Sequence, residues 1–245
     1  MRGRRIYLED LAHVHHAGFG DFSRRAAPGL LSLLRAAGIR SGTVVDIGCG
    51  SGIWLDRLSR AGYNAVGIDS SPAMARIARI TAPKARIFVA PVHGFEVPPC
   101  VAVTALGEVL NYRATAPAGG SPLRLLFRNA ARALRPGSLF LFDLLVASAQ
   151  RPMTHRSWHA GDSWVVLVDV KENPGARTLT REITTFRRAG GAYRRRFERH
   201  HLDVPRRSDV ERWLRDAGFS VRVTCRYGSS ELPPGRLAFR ARRRA

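Results

Sequence analysis

Short apolar segments alternate with amphipathic ones through the first 145 residues of the chain. Five apolar segments predict strands, at residues 43–47, 65–68, 87–89, 101–106 and 139–145. The last segment is apolar almost throughout, as expected of a strand that is covered on both faces. Strands that alternate with helices of this length predict an α/β fold with a mostly parallel, doubly wound sheet.

Helices are predicted from apolar residues at spacings of three and four and from residues that favour helix ends. Ser71 and Ser121 each precede a proline, which is a typical helix start. Residues 6–37 read as helical, with Pro28 placed in a first helical turn. The helix after Ser121 has one continuous apolar face, formed by Leu123, Leu126, Phe127, Ala130 and Leu134.

The pattern changes near residue 150, where helical spacing gives way to alternation. Three longer strands are predicted, at residues 164–170, 179–186 and 193–202. Glycine- and proline-containing turns separate them and no helix intervenes, so they predict an antiparallel sheet. A capping box at Ser208–Glu211 then opens another helix, and two last strands follow at 221–225 and 237–239. The antiparallel sheet is therefore an insertion within the core.

These elements predict one domain over residues 1–245. Residues 1–40 form a helical lid, residues 41–146 and 205–245 form the core, and residues 147–204 form the β insertion after the fifth strand. The lid contains an aromatic and histidine-rich segment at residues 11–22.

The net charge of +21 is carried almost entirely by arginine. Such a charge suits either a nucleic-acid surface or a solvated surface rich in arginine. The arginines are scattered, and the densest runs lack interleaved aromatic residues for stacking on bases. Composition therefore favours a solvated surface, and nucleic-acid binding stays as an alternative.

The three cysteines are widely spaced and form no disulfide framework, which favours the reducing cytoplasm. No apolar run is long enough for a membrane span, and no apolar segment follows the basic N-terminus. Three histidines, His13, His15 and His16, match no metal-ligand spacing, so no metal site is predicted.

A glycine-rich turn follows the first predicted strand, as Asp46-Ile-Gly48-Cys49-Gly50-Ser-Gly52. Glycine permits a sharp strand-to-helix turn and lets a ligand lie against the backbone. The dinucleotide fingerprint GxGxxG uses the same geometry, but here the third glycine comes one residue too early. The spacing therefore speaks against a nicotinamide-dependent oxidoreductase.

Two carboxylates complete this pattern. Asp46 lies at the end of the first strand, where it can hold an ammonium group but would repel a diphosphate. Asp69 ends the next strand, 23 residues later, where a carboxylate accepts hydrogen bonds from both hydroxyls of a ribose.

The chain resembles the class I S-adenosylmethionine-dependent methyltransferases, especially bacterial small-molecule enzymes with a helical lid and a β insertion. Three motifs carry the resemblance: residues 46–52, residues 67–74 and residues 134–137. The family implies a Rossmann-like sheet of seven strands with the last antiparallel, S-adenosylmethionine as cofactor and S-adenosylhomocysteine as product. By this resemblance the glycine turn lines the methionine portion, Asp69 holds the ribose, and Ser70 and Met74 lie near the adenine.

One departure from the family concerns the adenine. Members commonly have an acidic residue after the third strand, but here the stretch is Ala90-Pro-Val-His-Gly94. We therefore expect the backbone near Val92 and His93 to bind the adenine. Leu106, at the end of the fourth strand, completes the cofactor-binding set: Asp46, Gly48, Cys49, Gly50, Gly52, Asp69, Ser70, Met74, Val92, His93 and Leu106.

Candidate catalytic residues lie past the fourth strand and in the lid. Glu108 either orients or deprotonates the acceptor, or holds lid backbone or the cofactor's ammonium; Tyr112 lines the pocket or caps a helix, as does Asn111. His15 lies where related lids often carry a cofactor-contacting tyrosine, and its imidazole also suits a base. Three residues of the insertion are candidates for an acceptor wall: Trp158, His159 and Trp164, the last more often core.

The resulting hypothesis is methyl transfer from S-adenosylmethionine to an oxygen, nitrogen or carbon of a small-molecule acceptor. In-line orientation of the nucleophile supplies most of the rate enhancement. One alternative keeps the cofactor but transfers its aminocarboxypropyl group or cyclises it. Another is an RNA-modifying or nucleic-acid-binding protein. The sequence leaves open whether the chain is a monomer or a homodimer.

Overall fold

The computed structural model describes residues 6–93, 95–113, 121–147 and 154–245. Six α-helices occur in these ranges: α1 Glu9–Phe19, α2 Asp21–Ala36, α3 Ile53–Arg60, α4 Pro72–Thr81, α5 Pro122–Ala133 and α6 Arg207–Asp216. The strands of the first half are β1 Thr43–Ile47, β2 Asn64–Asp69, β3 Arg86–Val89, β4 Cys100–Ala105 and β5 Leu134–Leu145. Those of the second half are β6 Thr154–Gly161, β7 Trp164–Asn173, β8 Thr178–Ala189, β9 Ala192–Asp203, β10 Phe219–Thr224, β11 Arg226–Tyr227, β12 Ser230–Glu231 and β13 Arg236–Arg243.

The central sheet has seven strands in the order β10-β13-β5-β4-β1-β2-β3. Strands β1 to β5 are mutually parallel, whereas β13 runs antiparallel to both β5 and β10. The strand order reverses at β1 and β4, and this crevice is where open α/β sheets bind ligands. The predicted Rossmann-like seven-stranded fold is confirmed.

Both faces of this sheet are buried against helices. One face packs on α5 and α6, where Phe127, Phe140, Phe142 and Phe239 form the centre of the larger core cluster. The other face packs on α2 and α3, and the side chain of Trp54 of α3 is fully buried in this second core cluster. This two-sided burial explains why the strand residues are apolar almost without alternation.

The second sheet has four antiparallel strands in the order β6-β7-β8-β9 and lies between β5 and α6 in the chain. Its inner face packs against α1 through a cluster formed by Leu11, Val14, Trp164, Val166 and Ile183. Helix α1 also contacts α4 of the core. The first helix therefore lies between the second sheet and the core.

Three local predictions were wrong, each because tertiary packing overrides a local signal. Pro28 lies inside α2 rather than in a first turn, since α2 already begins at Asp21. Leu134 begins β5 instead of ending the helix before it. The predicted capping box is absent: Arg206 is the N-cap of α6, and Glu211 binds Arg207 and Arg215.

The insertion contains one strand more than predicted. Strand β6 has almost no buried position, so its sequence lacks the alternation that marks a half-buried strand. The predicted lid and insertion begin in residues 1–5 and 147–153, most of which lie outside the described residues. Among the helices of the described ranges, none has the length and apolar character needed to cross a membrane.

Candidate functional site

A cavity of about 1540 Å³ lies at the carboxyl ends of β1, β2 and β4, beneath α1 and the second sheet. Its floor contains most of the predicted cofactor-binding residues. Its roof comes from the lid and the second sheet, through residues such as Tyr7, His15, Phe19, Val166 and Ile183. A volume of this size holds two small molecules side by side.

The glycine turn forms the floor of the cavity. All three glycines have positive φ angles, +70° at Gly48, +53° at Gly50 and +82° at Gly52, which other residues rarely adopt. The backbone N–H groups of Gly48 and Cys49 donate to the Ile68 carbonyl at 2.7 and 2.9 Å, which fixes the turn against β2. The turn is therefore set by backbone geometry rather than by side chains.

The glycines differ in what surrounds them. A Cβ at Gly50 would meet no atom within 4 Å, because this residue borders the open cavity. A Cβ at Gly48 would lie 2.0 Å from the Val109 side chain, and one at Gly52 would lie 2.9 Å from Ala78. Gly52 is not among the residues that line the cavity, and its lack of a side chain allows α3 to pack closely on Ala78 of α4.

Asp69 is held by backbone donors on both carboxylate oxygens. Gly50 N–H donates to Oδ2 and Ser71 N–H donates to Oδ1, both at 2.8 Å. Burial raises the pKa of Asp69, and the two N–H groups oppose that rise. Because each carboxylate oxygen has a further lone pair, the group can still accept from two hydroxyls of a ligand in the cavity.

Asp46 is buried at the end of β1 and lines the same cavity. Trp54 Nε1–H donates to the Thr104 hydroxyl at 3.0 Å, so that hydroxyl donates onward to Asp46 Oδ1 at 2.6 Å. Burial raises the pKa of Asp46 to about 7, against the effect of Thr104. A ligand cation beside this carboxylate would restore its charge at neutral pH.

The residues predicted for the adenine side lie at one end of the cavity. Ser70, Met74, Val92 and His93 line it, as do Cys49 and Leu106 nearer the turn. Ser71 caps α4 by accepting from Met74 N–H at 3.1 Å. The donor and acceptor groups of an S-adenosyl group fit this arrangement, which offers open space at Gly50 and buried carboxylates at Asp69 and Asp46.

Glu108 lies in a network of ion pairs. Its carboxylate accepts from Arg181 of β8 and pairs with Arg236 of β13 at 2.9 Å. Burial disfavours its charge, but the two guanidinium groups outweigh burial and lower the pKa of Glu108. Such a carboxylate is a weak base. Its contacts with Arg181 and Arg236 favour a role in holding the second sheet against the core.

The Glu108 backbone is held as firmly as its side chain. Its φ angle is +56°, which is rare outside glycine. The N–H groups of Gly107 and Glu108 donate to the two oxygens of Asp143, both at 2.8 Å, and Tyr227 OH donates to the same carboxylate at 3.1 Å. This segment is therefore rigid where it meets the cavity.

Tyr112 meets a residue that the sequence did not reveal. Its hydroxyl lies 2.8 Å from the hydroxyl of Tyr7, which precedes α1, and both residues line the cavity. Burial raises the pKa of both phenols, so they are protonated at neutral pH. Asn111 turns away from the cavity and bonds Leu145 and Asp203, so it neither lines the pocket nor caps a helix.

His15 lines the cavity between Tyr7 and Phe19, with the Tyr7 ring at 5.3 Å in an edge-on contact. Burial lowers the pKa of its imidazole to about 4, so it is neutral at pH 7. Within the described residues its Nδ1 atom is buried without a hydrogen-bond partner. A ligand group in the cavity is therefore its natural partner.

The insertion residues predicted as an acceptor wall have three different environments. His159 lines the cavity, whereas Trp158 is 69% exposed and points away from the cavity lining. Trp164 is buried beneath α1 against Gly18, as a core residue. Arg181 was missed, although its alternation with Leu179 and Ile183 on β8 marks an arginine on the inward face.

Comparisons with known proteins agree with this site. The profile of a methyltransferase domain family matches residues 19–223. No curated protein sequence matches the chain at a significant level.

Solved structures of several methyltransferases superpose on nearly the whole chain. An S-adenosylmethionine-dependent methyltransferase from Clostridium acetobutylicum is similar with a TM-score of 0.80 and 16% identity, over 96% of this chain and 98% of that one. The sugar N-methyltransferase KedS8 from Streptoalloteichus has a TM-score of 0.78 and 19% identity, over 100% and 98%. The amino pentose methyltransferase CalS10 from Micromonospora echinaspora, solved with S-adenosylmethionine bound, has a TM-score of 0.75 and 19% identity, over 99% and 100%.

The match of the family profile spans most of the chain, and the fold and the glycine turn with its two acids agree with it. The chain therefore belongs to the methyltransferase domain family and is an S-adenosylmethionine-dependent methyltransferase.

Proposed function

We propose that the chain methylates a small-molecule acceptor that is enclosed between the lid and the second sheet. The observation that carries this proposal is that one cavity is lined both by Asp46 and Asp69 and by Tyr7, His15 and residues of the second sheet. An enclosed acceptor site of this kind suits a small molecule rather than a nucleic-acid duplex.

The floor of the cavity would hold the cofactor. Asp69 accepts from the ribose hydroxyls, Asp46 pairs with the ammonium of the methionine portion, and the backbone at Gly48 and Gly50 allows close approach. When bound, the cofactor would supply a methyl group on a sulfonium: a nucleophile bonds to the methyl carbon in line with the S–C bond, which breaks and releases the thioether S-adenosylhomocysteine. Cys49, Leu106, Ser70, Met74, Val92 and His93 complete the lining around it.

The roof of the cavity would position the acceptor. The hydroxyls of Tyr7 and Tyr112 share one hydrogen bond, so together they retain a donor or acceptor for the nucleophile. The neutral imidazole of His15 accepts a hydrogen bond from a hydroxyl or amine. Because its basicity is low, His15 orients the nucleophile rather than deprotonating it. For this reaction, orientation of the nucleophile contributes more to the rate enhancement than general-base catalysis does.

The acceptor amine of an amino sugar is the first candidate to test. Two of the similar structures are a sugar N-methyltransferase and an amino pentose methyltransferase. An amine that is neutral at the working pH needs no strong base, which fits the weak basicity of His15 and Glu108.

The test is incubation of the protein with S-adenosylmethionine and a panel of amino sugars, hydroxylated aromatic compounds and short RNA, followed by mass spectrometry. The proposal predicts a small-molecule product heavier by one methyl group, together with S-adenosylhomocysteine. Methylthioadenosine among the products would instead indicate aminocarboxypropyl transfer or cyclisation. Methylation confined to RNA would contradict the proposal.

A further inference from the structure

One carboxylate of the second sheet binds the backbone just before the lid helix. Glu198 of β9 accepts from Tyr7 N–H at 2.7 Å through Oε2 and from Leu8 N–H at 3.0 Å through Oε1. The carboxylate is 5% exposed, and His200 Nε2 lies 3.0 Å from its Oε2 atom. Each carboxylate oxygen of Glu198 therefore accepts a hydrogen bond from the backbone of Tyr7 or Leu8.

Tyr7 is also bound from the floor of the cavity, where we propose that the cofactor binds. The Ser71 hydroxyl donates to the Tyr7 carbonyl at 2.6 Å, and Ser71 N–H is also one of the two donors to Asp69. Tyr7 thus has its N–H held by the second sheet and its carbonyl held by the core. Its φ of +52° lies in the left-handed region, which residues other than glycine adopt only when surrounding contacts hold them there.

Helix α1 needs this anchor. It has 11 residues, and its N-cap residue, Leu8, makes no side-chain capping bond. A carboxylate at a helix N-terminus is favourable because it faces the positive end of the helix dipole. Glu198 therefore acts from another element where a capping side chain is missing.

The contacts of Glu198 with the Tyr7–Leu8 backbone affect the hydroxyls of Tyr7 and Tyr112 at the roof of the cavity. In this backbone conformation the Tyr7 hydroxyl lies 2.8 Å from that of Tyr112, and the Tyr7 ring packs on that of His200 with centroids 5.2 Å apart. Tyr112 belongs to the core segment after β4, so the hydroxyl pair joins the lid to the core.

We propose that Glu198 is a positioning residue for methyl transfer. By holding the backbone of Tyr7 and Leu8, it places the Tyr7 hydroxyl against that of Tyr112, and this pair orients the nucleophile of the acceptor. The inference rests on the proposed function for the role of the pair. The coupling of Glu198 to the two hydroxyls stands on the contacts alone.

The experiment uses the full chain labelled with 3-fluorotyrosine and ¹⁹F NMR. The chain has five tyrosines, and the Tyr7→Phe and Tyr112→Phe variants assign the two resonances of interest. Tyr63 and Tyr227 bond groups of the core, Ile39 O and Asp143, so they report whether the fold is intact. Glu182→Gln is the matched control, because Glu182 pairs with Arg199 on the same sheet.

Glu198→Gln should shift the Tyr7 and Tyr112 resonances and leave those of Tyr63 and Tyr227 in place. Tyr7→Phe should shift Tyr112 in the same direction, because Glu198 acts through Tyr7. Glu182→Gln should leave all four resonances where they are. Unchanged Tyr7 and Tyr112 resonances in Glu198→Gln would overturn the inference.

A second variant guards against loss of folding. If Glu198→Gln collapses all the resonances, Ser71→Ala releases the same Tyr7 peptide from the opposite side and should shift Tyr7 and Tyr112. Unmoved resonances there would equally overturn the inference.

Titration with S-adenosylhomocysteine distinguishes the positioning role of Glu198 from the proposed function of the whole site. Glu198→Gln should still bind it, because Asp46 and Asp69 are untouched, while turnover of an acceptor falls by about a hundredfold from misplacement of the nucleophile. A wild-type protein that binds no S-adenosylhomocysteine would contradict the proposed function, and the tyrosine shifts would remain a separate result.

Discussion

The floor and the roof of the cavity are built by different means. On the floor, Asp69 and the glycine turn are held by hydrogen bonds from backbone N–H groups in the turns that follow β1 and β2. On the roof, side-chain carboxylates join separate elements: Asp10 of α1 pairs with arginines of β8 and β9, and Glu108 of the core pairs with Arg181. The floor is thus part of the core, whereas the roof exists only when lid, sheet and core are docked.

This difference separates the two substrates of the reaction. The floor, which fits the cofactor, should tolerate disturbance of the ion pairs above it. The roof, which we propose for the acceptor, should change shape when any of these carboxylates is removed. The following predictions are ordered from the largest expected effect to the smallest.

Loss of Glu108 should have the largest effect on stability. Glu108→Ala removes the carboxylate that pairs with Arg181 and Arg236, whose side chains are only 18% and 19% exposed, and leaves Arg236 with the longer contact to Asp143 at 3.7 Å. Removal of one partner from a buried ion pair typically costs about 3–5 kcal/mol. Urea unfolding measures the loss, with Glu182→Ala, at a pair exposed to solvent, as a control expected to lose about 1 kcal/mol or less. If Glu108→Ala lowers the free energy of unfolding by less than the control does, the ion pairs of Glu108 are not buried in solution.

Asp69 should dominate cofactor affinity. Asp69→Ala removes the carboxylate that we propose accepts hydrogen bonds from two ribose hydroxyls. Two such bonds together contribute about 3 kcal/mol or more, which is roughly a hundredfold in affinity. Calorimetry with S-adenosylhomocysteine measures this change. Asp56→Ala on α3, whose carboxylate pairs with Arg60 at the surface, should bind like the wild type. Equal affinity of the Asp69 and Asp56 variants would remove Asp69 from the site.

Cofactor affinity should depend on pH through Asp46. In the free protein its pKa is raised to about 7, so the carboxyl group is protonated below that pH. Pairing with the cofactor ammonium requires the charged form, so binding releases a proton below pH 7. The affinity for S-adenosylhomocysteine should therefore fall about tenfold per pH unit below 7 and level off above it. Asp46→Asn should bind more weakly at pH 8 and show no such slope; a slope retained in that variant would assign it to another group.

Thr104 should modulate that pH dependence by a smaller amount. Thr104→Val removes the hydroxyl that donates to Asp46 and therefore raises the pKa of Asp46 further. The break in the curve of affinity against pH should move upward by about one to two units, since a hydrogen bond to a charged carboxylate contributes about 1.5–3 kcal/mol. A downward shift would mean that the hydroxyl does not donate to this carboxylate.

The floor of the cavity was predictable from the sequence because it is local. Asp46 to Gly52 form one turn, Asp69 follows one crossover later, and their geometry is set by glycine conformations and by the parallel register of β1 and β2. The sequence does not tell apart Gly48 and Gly50, which line the cavity, from Gly52, which packs against Ala78, because both close ligand approach and close packing require glycine.

The roof was not predictable in the same way, because its partners are distant along the chain. Tyr7 meets Glu198 and Tyr112 across 191 and 105 residues, and nothing near Tyr7 marks it. A usable signal was present in the second sheet: Glu198 and His200 alternate with the buried Leu202 on β9, as polar residues on an inward face. Inward polar positions in an inserted sheet indicate contacts with another element.

The most direct test of the account is a crystal structure of the protein with S-adenosylhomocysteine. We expect the ribose hydroxyls within hydrogen-bond distance of Asp69 and the homocysteine ammonium beside Asp46. The sulfur should face the space beneath Tyr7, His15 and Tyr112. A cofactor bound elsewhere in the cavity, or with its sulfur turned away from that space, would contradict the division into a cofactor floor and an acceptor roof.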